Sequence, residues 1–210
     1  MGLLIVTAVA AEAEAVRKGL GPESPITVAA VGVGMAAAAA GTAKLLTLAN
    51  GRYRAVISAG IGGGIGIPLG TTVLATRSVA ADLGADSPDG FISLDELGFG
   101  SSTFSVDQRL LTSLREALPE AVVGDVLTVS TVTGTTARTA YVEGRYPNAV
   151  AEAMEGYGVA CAAELADVGF AELRTISNTV GPRDRESWRI GEALAALTRA
   201  GQMLSTSLSS

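Results

Sequence analysis

The sequence predicts a single α/β domain built on a largely parallel sheet. Apolar stretches of strand length alternate with helix-forming stretches, and no internal repeat or low-complexity linker divides the chain. Its 210 residues suffice for one domain with a sizeable core. Apolar residues make up 48% of the chain but aromatic residues only 4%, which favours closely packed α/β layers.

The predicted strands are short apolar stretches flanked by turn-forming residues. They are residues 3–9, 26–31, 55–59, 71–79, 122–133 and 170–176. Residues 60–66 read Gly-Ile-Gly-Gly-Gly-Ile-Gly and are predicted to form a loop whose backbone N–H groups approach a ligand. A tight turn explains these glycines equally well, and the absence of a following Gly-Lys-Ser/Thr excludes a P-loop. Residues 86–105 are polar and glycine-rich, which predicts a surface loop near a site.

The predicted helices alternate with these strands and are rich in helix formers. They span residues 11–20, 35–48, 106–118 and 188–210. Gly21-Pro22 ends the first helix and Asn50-Gly51 ends the second, as helix stop signals do. Residues 148–167 contain helix formers throughout, although the first half of this segment also fits a strand.

The composition excludes several classes of function. The chain contains no His, which excludes Ser-His-Asp catalysis, histidine general bases and the usual zinc ligand sets. A net charge of −6 without a basic cluster argues against nucleic acid as a partner. Cys161 is the single cysteine, so no internal disulfide can form, in agreement with a reducing compartment. We therefore expect a cytoplasmic protein with no metal, no cofactor, no nucleic-acid partner and no membrane contact.

Residues 55–76 form the longest uncharged stretch of the first half of the chain. They are long enough for a membrane span, but they contain six glycines and Pro68. Turn-forming residues at this density fit a buried strand, loop and second strand better.

Residues 32–37 read Gly-Val-Gly-Met-Ala-Ala after a predicted strand and before a predicted helix, a pattern similar to a dinucleotide-binding fingerprint. That fingerprint requires an acidic residue about 20 positions further on, to bind the ribose. No Asp or Glu occurs between Glu23 and Asp82. The sequence therefore disfavours a nicotinamide cofactor, and close packing of a helix on a strand explains the glycines equally well.

Glu155 is the most informative single residue of the chain. No charged residue occurs between Glu155 and Glu164, and the intervening residues are mostly small and apolar, as in a buried element. A buried carboxylate costs free energy unless it is hydrogen-bonded. Two interpretations are open. The carboxylate is bound by backbone N–H groups, an Arg or a helix N-terminus, or it binds a ligand with two adjacent donors, such as a ribose diol.

Two further polar side chains follow predicted strands. Glu12 follows the first strand, and Asn178 follows the strand at residues 170–176. Ligands of open α/β sheets bind outside the carboxyl ends of the strands, so these residues can converge with Glu155 on one site. Taken separately, Glu12 fits a first-turn carboxylate favoured by the helix dipole, and Asn178 fits a turn former.

Four short segments carry a resemblance to a known family. They are residues 7–12, 58–63, 154–155 and 176–178. In this order and spacing they resemble the purine nucleoside phosphorylase/nucleosidase superfamily, above all its hydrolase branch, typified by methylthioadenosine/S-adenosylhomocysteine nucleosidase. Within that branch, residues 81–85, 93–100 and 177–185 resemble the futalosine hydrolases.

The resemblance covers almost the whole chain and implies a more specific fold. It implies one domain, residues 1–210, around a mixed, partly barrel-like central sheet flanked by helices. It also implies a strand that reaches Met154, with a helix beginning just after it. Members of this superfamily are usually dimers or larger, so we expect a homo-oligomer.

The resemblance also implies roles for individual residues. Glu12 corresponds to the carboxylate that activates water, and Glu155 to the Glu that binds the ribose hydroxyls, with Met154 against the sugar. Asn178 stands where the adenine-cleaving nucleosidases have an Asp that protonates the base. Ser177 and Gly62, beside these positions, are expected to contact the substrate.

Two positions depart from the pattern of those nucleosidases. Ile61 replaces a Ser, which removes one polar contact near the water and the sugar. Ala153 replaces a further Glu, which makes the ribose site less acidic. Phosphorylases of the superfamily hold phosphate with basic residues in the first loop, but residues 7–16 contain no Lys or Arg, which favours hydrolysis.

The resemblance therefore implies a nucleoside hydrolase that releases hypoxanthine from futalosine, a step of menaquinone biosynthesis. The alternative enzyme is an adenine-releasing nucleosidase acting on methylthioadenosine, S-adenosylhomocysteine or aminodeoxyfutalosine. The alternative from another class is a non-catalytic nucleoside-binding protein. For the carboxyphenyl group of futalosine, Arg138, Arg183 and Arg185 are the candidate partners.

Overall fold

In the computed structural model, which describes residues 2–207, helices surround a mixed central sheet. The strands are β1 (Gly2–Thr7), β2 (Thr27–Ala30), β3 (Tyr53–Gly64), β4 (Thr72–Ala80), β5 (Gly84–Ala85), β6 (Ile92–Ser93), β7 (Thr103–Ser105), β8 (Val122–Thr128), β9 (Ala149–Ala153) and β10 (Gly169–Thr179). The helices are α1 (Ala10–Leu20), α2 (Met35–Ala49), α3 (Gln108–Ala117), α4 (Thr136–Arg145), α5 (Gly156–Leu165) and α6 (Ile190–Ser207). The predicted α/β class is confirmed.

The sheet closes on itself to form a barrel. Its strands follow the order β10-β4-β8-β9-β3-β1-β2, and an additional pairing of β10 with β3 closes the first five of them into a ring. β10 pairs with β3 in parallel but with β4 in antiparallel orientation, and β9 is antiparallel to β3. Among the described residues, five of the eight strand pairings in this sheet are parallel, so the largely parallel sheet expected from element order is confirmed. The mixed, barrel-like sheet implied by the resemblance is confirmed as well.

The glycine segment forms part of a strand, not the predicted loop. β3 runs through Gly64 and remains paired with β10 along residues 60–64. Glycine is required here because neighbouring groups occupy the space of a side chain. A Cβ on Gly60 would lie 2.7 Å from the Glu12 Oε1 atom, and a Cβ on Gly62 would lie 2.9 Å from the Glu152 carbonyl oxygen. The glycines therefore allow the barrel and the site to close tightly.

Most predicted elements are present, with shifted boundaries. The segment 148–167 divides into β9 and α5, as the resemblance implied. The expected loop at 86–105 contains the short strands β6 and β7. α4 lies in a segment for which the sequence predicted no element, and Val142 is its one buried residue. The last predicted helix begins at Ile190, and its final residues, 208–210, lie outside the described residues.

Apolar side chains of the strands and helices form one large core beneath the site. Its fully buried members include Leu4 and Ile5 of β1, Ile57 of β3 and Leu173 of β10. α1 packs against α6, and α2 packs against α5. Among residues 2–207, no helix combines the length and the apolar character needed to cross a membrane.

Candidate active site

A cavity of about 520 Å³ lies where several strands end. It is lined by the C-terminal parts of β3, β9 and β10 and by the segments that follow β1, β8 and β10. This volume lies within the usual range for small-molecule sites. All six residues predicted from the sequence to belong to a site line this cavity: Glu12, Gly62, Met154, Glu155, Ser177 and Asn178. Segments far apart in the sequence therefore meet in one place.

Glu12 faces the cavity from the first turn of α1 and is only 4% exposed. Val9, at the N-cap, has no polar side chain, and the Glu12 carboxylate bends back to bind the free N–H groups there. Its Oε2 atom accepts from the Ala8 N (3.0 Å) and the Val9 N (3.1 Å), and its Oε1 atom accepts from the Ile61 N (2.9 Å). Three backbone dipoles thus compensate the burial of this charge and fix its orientation.

Glu155 is bound as the first interpretation from the sequence requires, and it also faces the cavity, where the second interpretation places a ligand. Its Oε1 atom accepts from the Gly34 N (3.1 Å), and its Oε2 atom lies 3.3 Å from the Met154 N and 3.4 Å from the Arg174 Nη1. The carboxylate is therefore held by backbone N–H groups and a buried Arg, and it also lines the cavity. The Gly-Val-Gly segment before α2 supplies one of these N–H groups, which gives those glycines a role without a dinucleotide.

Arg174 is a central residue of the site that sequence reasoning missed. It is 1% exposed and its guanidinium donates to the Glu172 Oε1 (2.9 Å) and the Ser58 Oγ (2.9 Å) in addition to Glu155. Gly60 separates it from Glu12, since a Cβ there would lie 2.9 Å from the Arg174 Nη1. Burial alone would lower the pKa of Arg174, but the charges of Glu172, Glu155 and Glu12 outweigh burial and raise it.

Glu172 is the partner of Arg174 on the same strand, and it is 1% exposed. Burial raises the pKa of its carboxyl group, although the Arg174 charge opposes this shift. The two residues alternate with apolar neighbours in β10, so that both side chains point to one face of the strand. A Glu-x-Arg pair that alternates with Ala171 and Leu173 in a strand is the signal that would have identified them.

Asn178 lies inside β10, not after it as expected, and its side chain is partly buried. Its Oδ1 atom accepts from the Ser177 Oγ (2.9 Å), and its Nδ2 atom donates to the Thr179 carbonyl oxygen (3.1 Å). The Ser177 hydroxyl also lies 3.2 Å from the Gly62 carbonyl oxygen, which fixes this corner of the cavity. Asn178 retains a second N–H and a second lone pair for a ligand.

The open end of the cavity contains Trp188 and Arg183, whose guanidinium lies 5.5 Å from the indole ring centre. Of the three arginines considered for the carboxyphenyl group, Arg183 lines the cavity. Arg138 instead lies over the Tyr141 ring at 4.7 Å, and Arg185 lies 5.9 Å from the Trp188 ring without lining the cavity.

The comparison with known proteins agrees with this fold. The sequence profile of the phosphorylase superfamily matches residues 9–209. Futalosine hydrolase of Streptomyces coelicolor is 48% identical, with 95% of this chain and 93% of that protein covered. Futalosine hydrolase of Acidothermus cellulolyticus is 48% identical over 94% of this chain and 87% of that protein. The native structure of futalosine hydrolase of Helicobacter pylori superimposes with a TM-score of 0.83 at 16% identity, covering 100% of this chain and 97% of that one.

The closed mixed sheet, with its cavity at the strand ends, defines the class of protein, and the profile match spans almost the whole chain. The chain therefore belongs to the phosphorylase superfamily. More narrowly, both of the relatives at 48% identity are futalosine hydrolases.

Proposed function

We propose that the protein is a futalosine hydrolase, which uses water to cleave the bond between the ribose and the hypoxanthine of futalosine. The assignment of futalosine as the substrate rests on the 48% identity that this chain shares with two futalosine hydrolases over at least 94% of its length. The reaction class rests on one observation. Glu12 and Glu155 face the same cavity, on either side of the buried Arg174.

The two carboxylates suit the two needs of glycosidic hydrolysis. Cleavage passes through an oxocarbenium-like state in which positive charge develops on the ribose. Glu155 accepts from the ribose diol and places negative charge beside the sugar, and this stabilisation grows as the charge develops. Glu12 takes a proton from the water whose oxygen bonds to the anomeric carbon. The electron pair of the broken bond goes to the purine, which is protonated by solvent at N7.

The same cavity favours water over phosphate as the acceptor. Among residues 2–207, the charged residues that line it are one cation, Arg183, and four carboxylates: Glu12, Glu152, Glu155 and Asp184. Arg174 does not line the cavity, and three of its five N–H groups already donate to Glu172, Glu155 and Ser58. A phosphate dianion beside Glu12 would therefore meet like charge in a lining where carboxylates outnumber cations.

Arg183 is the proposed partner of the 5′ substituent of futalosine. It is exposed at the mouth of the cavity, next to Trp188, so a carboxyphenyl group can stack on the indole and pair with the guanidinium.

The proposal includes a cytoplasmic homo-oligomer that acts in menaquinone biosynthesis. Three valines at the cavity mouth, Val9, Val33 and Val132, are 41%, 56% and 40% exposed, and a second copy of the chain would cover them. Sedimentation analysis tests the oligomer, and a monomer at micromolar concentration would contradict it. The free Cys161 agrees with a reducing compartment.

Product chromatography tests the function directly. The purified protein is incubated with futalosine, inosine and methylthioadenosine, each with and without phosphate. We expect hypoxanthine from futalosine at a rate independent of phosphate, and less from inosine, which lacks the 5′ substituent. Adenine from methylthioadenosine as the main product would favour the adenine-releasing alternative. Phosphate-dependent release would indicate a phosphorylase, and no release from any substrate would indicate a nucleoside-binding protein.

A further inference from the structure

A third buried carboxylate, Glu152, lines the cavity without a role in the mechanism above. It lies on β9 and is 5% exposed. Its Oε1 atom accepts from the Thr133 N (2.7 Å), and its Oε2 atom accepts from the Thr133 Oγ1 (2.6 Å). Within residues 2–207 it forms no ion pair with a Lys or Arg. Its charge is thus held in the cavity wall by the hydrogen bonds of a single residue.

Glu152 retains capacity for another donor. An ionised carboxylate has about four lone-pair sites, of which Thr133 occupies two. Hydrogen bonds to a buried charge stabilise it more than those to a neutral group, so a donor from a ligand is favoured here. Thr133 also fixes the orientation of the carboxylate, because one oxygen binds the backbone and the other binds the hydroxyl.

The sheet places Glu152 in the same row as Asn178. Gly63 of β3 is paired with Glu152 on β9 and with Asn178 on β10. Paired residues on neighbouring strands point to the same face of a sheet. Two strand spacings separate the outer residues by roughly 10 Å, and Gly63 between them has no side chain. A planar base therefore fits between the Glu152 carboxylate and the Asn178 amide.

We propose that Glu152 determines base specificity by accepting a hydrogen bond from the N1–H of a 6-oxopurine. This inference rests on the proposed function and names the second group that reads its base. Hypoxanthine carries a hydrogen on N1, whereas N1 of adenine carries a lone pair. The carboxylate therefore attracts the first base and opposes the second. Asn178 reads the neighbouring O6 and N7 positions, donating to O6 and accepting from the protonated N7.

Glu152 and Asn178 together discriminate between hypoxanthine and adenine. The Ser177 hydroxyl and the Thr179 carbonyl oxygen set the orientation of the Asn178 amide. In that orientation, adenine would leave both Glu152 and the Asn178 amide facing groups of the same hydrogen-bonding type, and buried groups left unpaired are costly. Changing Asn178 alone corrects the mismatch at position 6 and N7 but leaves adenine N1 facing the Glu152 carboxylate. Efficient use of a 6-amino substrate therefore requires a change at both residues.

Direct binding of free bases tests this inference. Trp188 is the only tryptophan of the chain and lines the cavity, so its fluorescence reports the dissociation constants of hypoxanthine and adenine. We expect Glu152→Gln to weaken hypoxanthine binding by roughly 10- to 100-fold, the range for a hydrogen bond to a charged group, and to leave adenine binding unchanged or tighter. The control is Glu164→Gln, which removes an exposed carboxylate of α5 and should alter neither constant.

A purely structural role for Glu152 predicts a different result. The variant would then lose thermal stability while the ratio of the two dissociation constants stayed the same, and this result would overturn the inference. A larger loss for adenine than for hypoxanthine would overturn it too, because the carboxylate would then bind the 6-amino group.

A measurement on the wild type keeps the inference testable if the variant does not fold. A methyl group on N1 removes the donor, so 1-methylhypoxanthine should bind at least tenfold more weakly than hypoxanthine. Equal binding of the two bases, or no binding of hypoxanthine, would contradict the inference. Base binding can be measured whether or not the protein hydrolyses futalosine. A failure of the inference about Glu152 can therefore be distinguished from a failure of the proposed function. Futalosine hydrolysis with an unchanged ratio rejects only the role of Glu152, whereas Glu152-dependent binding without hydrolysis rejects only the proposed function.

Discussion

At the scale of single residues, the two proposed catalytic carboxylates are compensated in different ways. Glu12 accepts from three backbone N–H groups, which remain in place whatever its protonation state. Glu155 accepts from two backbone N–H groups and lies beside the Arg174 guanidinium. The backbone N–H groups fix the orientation of the Glu12 carboxylate, whereas the Arg174 cation lies beside the carboxylate proposed to face the developing charge of the sugar.

Glu12→Gln is expected to lower kcat by roughly 10²- to 10⁴-fold, because the amide cannot accept a proton from water. The amide NH₂ must also face at least one of the three backbone N–H groups, which should cost about 1–3 kcal/mol of stability. Measurements of kcat, the hypoxanthine dissociation constant and the thermal midpoint separate these effects. Glu14→Gln changes an exposed carboxylate of the same helix and serves as the control. A near-normal kcat would exclude Glu12 from the mechanism.

Glu155→Gln should reduce both kcat and the affinity for nucleosides, because one acceptor for the ribose diol becomes a donor. Affinity for free hypoxanthine should change little, since the free base has no ribose. Steady-state kinetics and base binding by Trp188 fluorescence check the two parts. Unchanged nucleoside kinetics would mean that Glu155 has only its structural role beside Arg174.

Asn178→Asp should move the preference from the 6-oxo toward the 6-amino substrate, because a carboxylic acid can protonate N7 and accept from an amino group. The readout is kcat/KM for a matched pair of substrates on both enzymes. We expect the ratio to move by at least about tenfold, short of full inversion while Glu152 remains. A wild type that already prefers the 6-amino substrate, or a constant ratio, would remove Asn178 as a base reader.

At the scale of elements, β10 organises the site. It pairs with β3 and β4 and carries Glu172 and Arg174 in its middle and Ser177 and Asn178 near its end. A buried ion pair in a central strand is expensive to break, since each partner is left as an unpaired charge. The strand thus positions one catalytic carboxylate through Arg174 and one base-reading amide directly.

Arg174→Met should destabilise the protein by about 3–5 kcal/mol near neutral pH, the usual cost of removing one partner of a buried pair. The loss should shrink as the pH falls. Burial raises the pKa of Glu172 above the ordinary value of 4.5, and removing the cation raises it further. A carboxyl with a raised pKa contributes stability below its unfolded pKa, and that contribution is lost as the pH rises through the folded value.

Denaturant titrations of the wild type and Arg174→Met at about pH 5 and pH 8 measure this difference. Arg174→Lys is the matched comparison, because it keeps the charge but loses the planar fork, and it should cost less. If Arg174→Met lowered the free energy of unfolding by the same amount at both pH values, the pH dependence could not be assigned to Glu172.

At the scale of the whole molecule, residues from both ends of the chain meet at the cavity, and α5 connects this region to the outer strands. Tyr157, in the first turn of α5, accounts for much of that connection. Its OH donates to the Ser101 carbonyl oxygen (2.5 Å), its N donates to the Thr128 Oγ1 (2.9 Å), and its ring centre lies 5.1 Å from that of Phe104.

The free energy of unfolding at alkaline pH should reveal the burial of the Tyr157 side chain. Burial is the main cause that raises the pKa of Tyr157 to about 12. Its ordinary value is 10.0, so the native state retains a proton that the unfolded chain loses above that pH. The free energy of unfolding should therefore fall between about pH 10 and pH 12. Urea unfolding of the wild type and Tyr157→Phe checks this, and an equally steep fall in both proteins would contradict it.

The sequence by itself determined what depends on local chemistry and on short motifs. Asn50 adopts a left-handed conformation at the end of α2, followed by Gly51 with positive φ, as the Asn-Gly signal predicted. The apolar stretches became buried strands because their hydrophobicity requires burial in any arrangement. Glu12, Glu155 and Asn178 were identified because polar residues next to such strands stand out and match a known pattern.

The tertiary structure alone decided what depends on long-range pairing. The pairing of β10 with β3 closes the barrel, and no local signal encodes it, because it joins segments more than a hundred residues apart. The glycines at 60–64 suit a loop or a crowded strand equally well, and only the approach of Glu12 and the β9 backbone selects the strand. The same holds for Arg174 and Glu152. A buried charge acquires its role from its partners, and Ser58 beside Arg174 and Thr133 beside Glu152 become adjacent to it only in the folded chain.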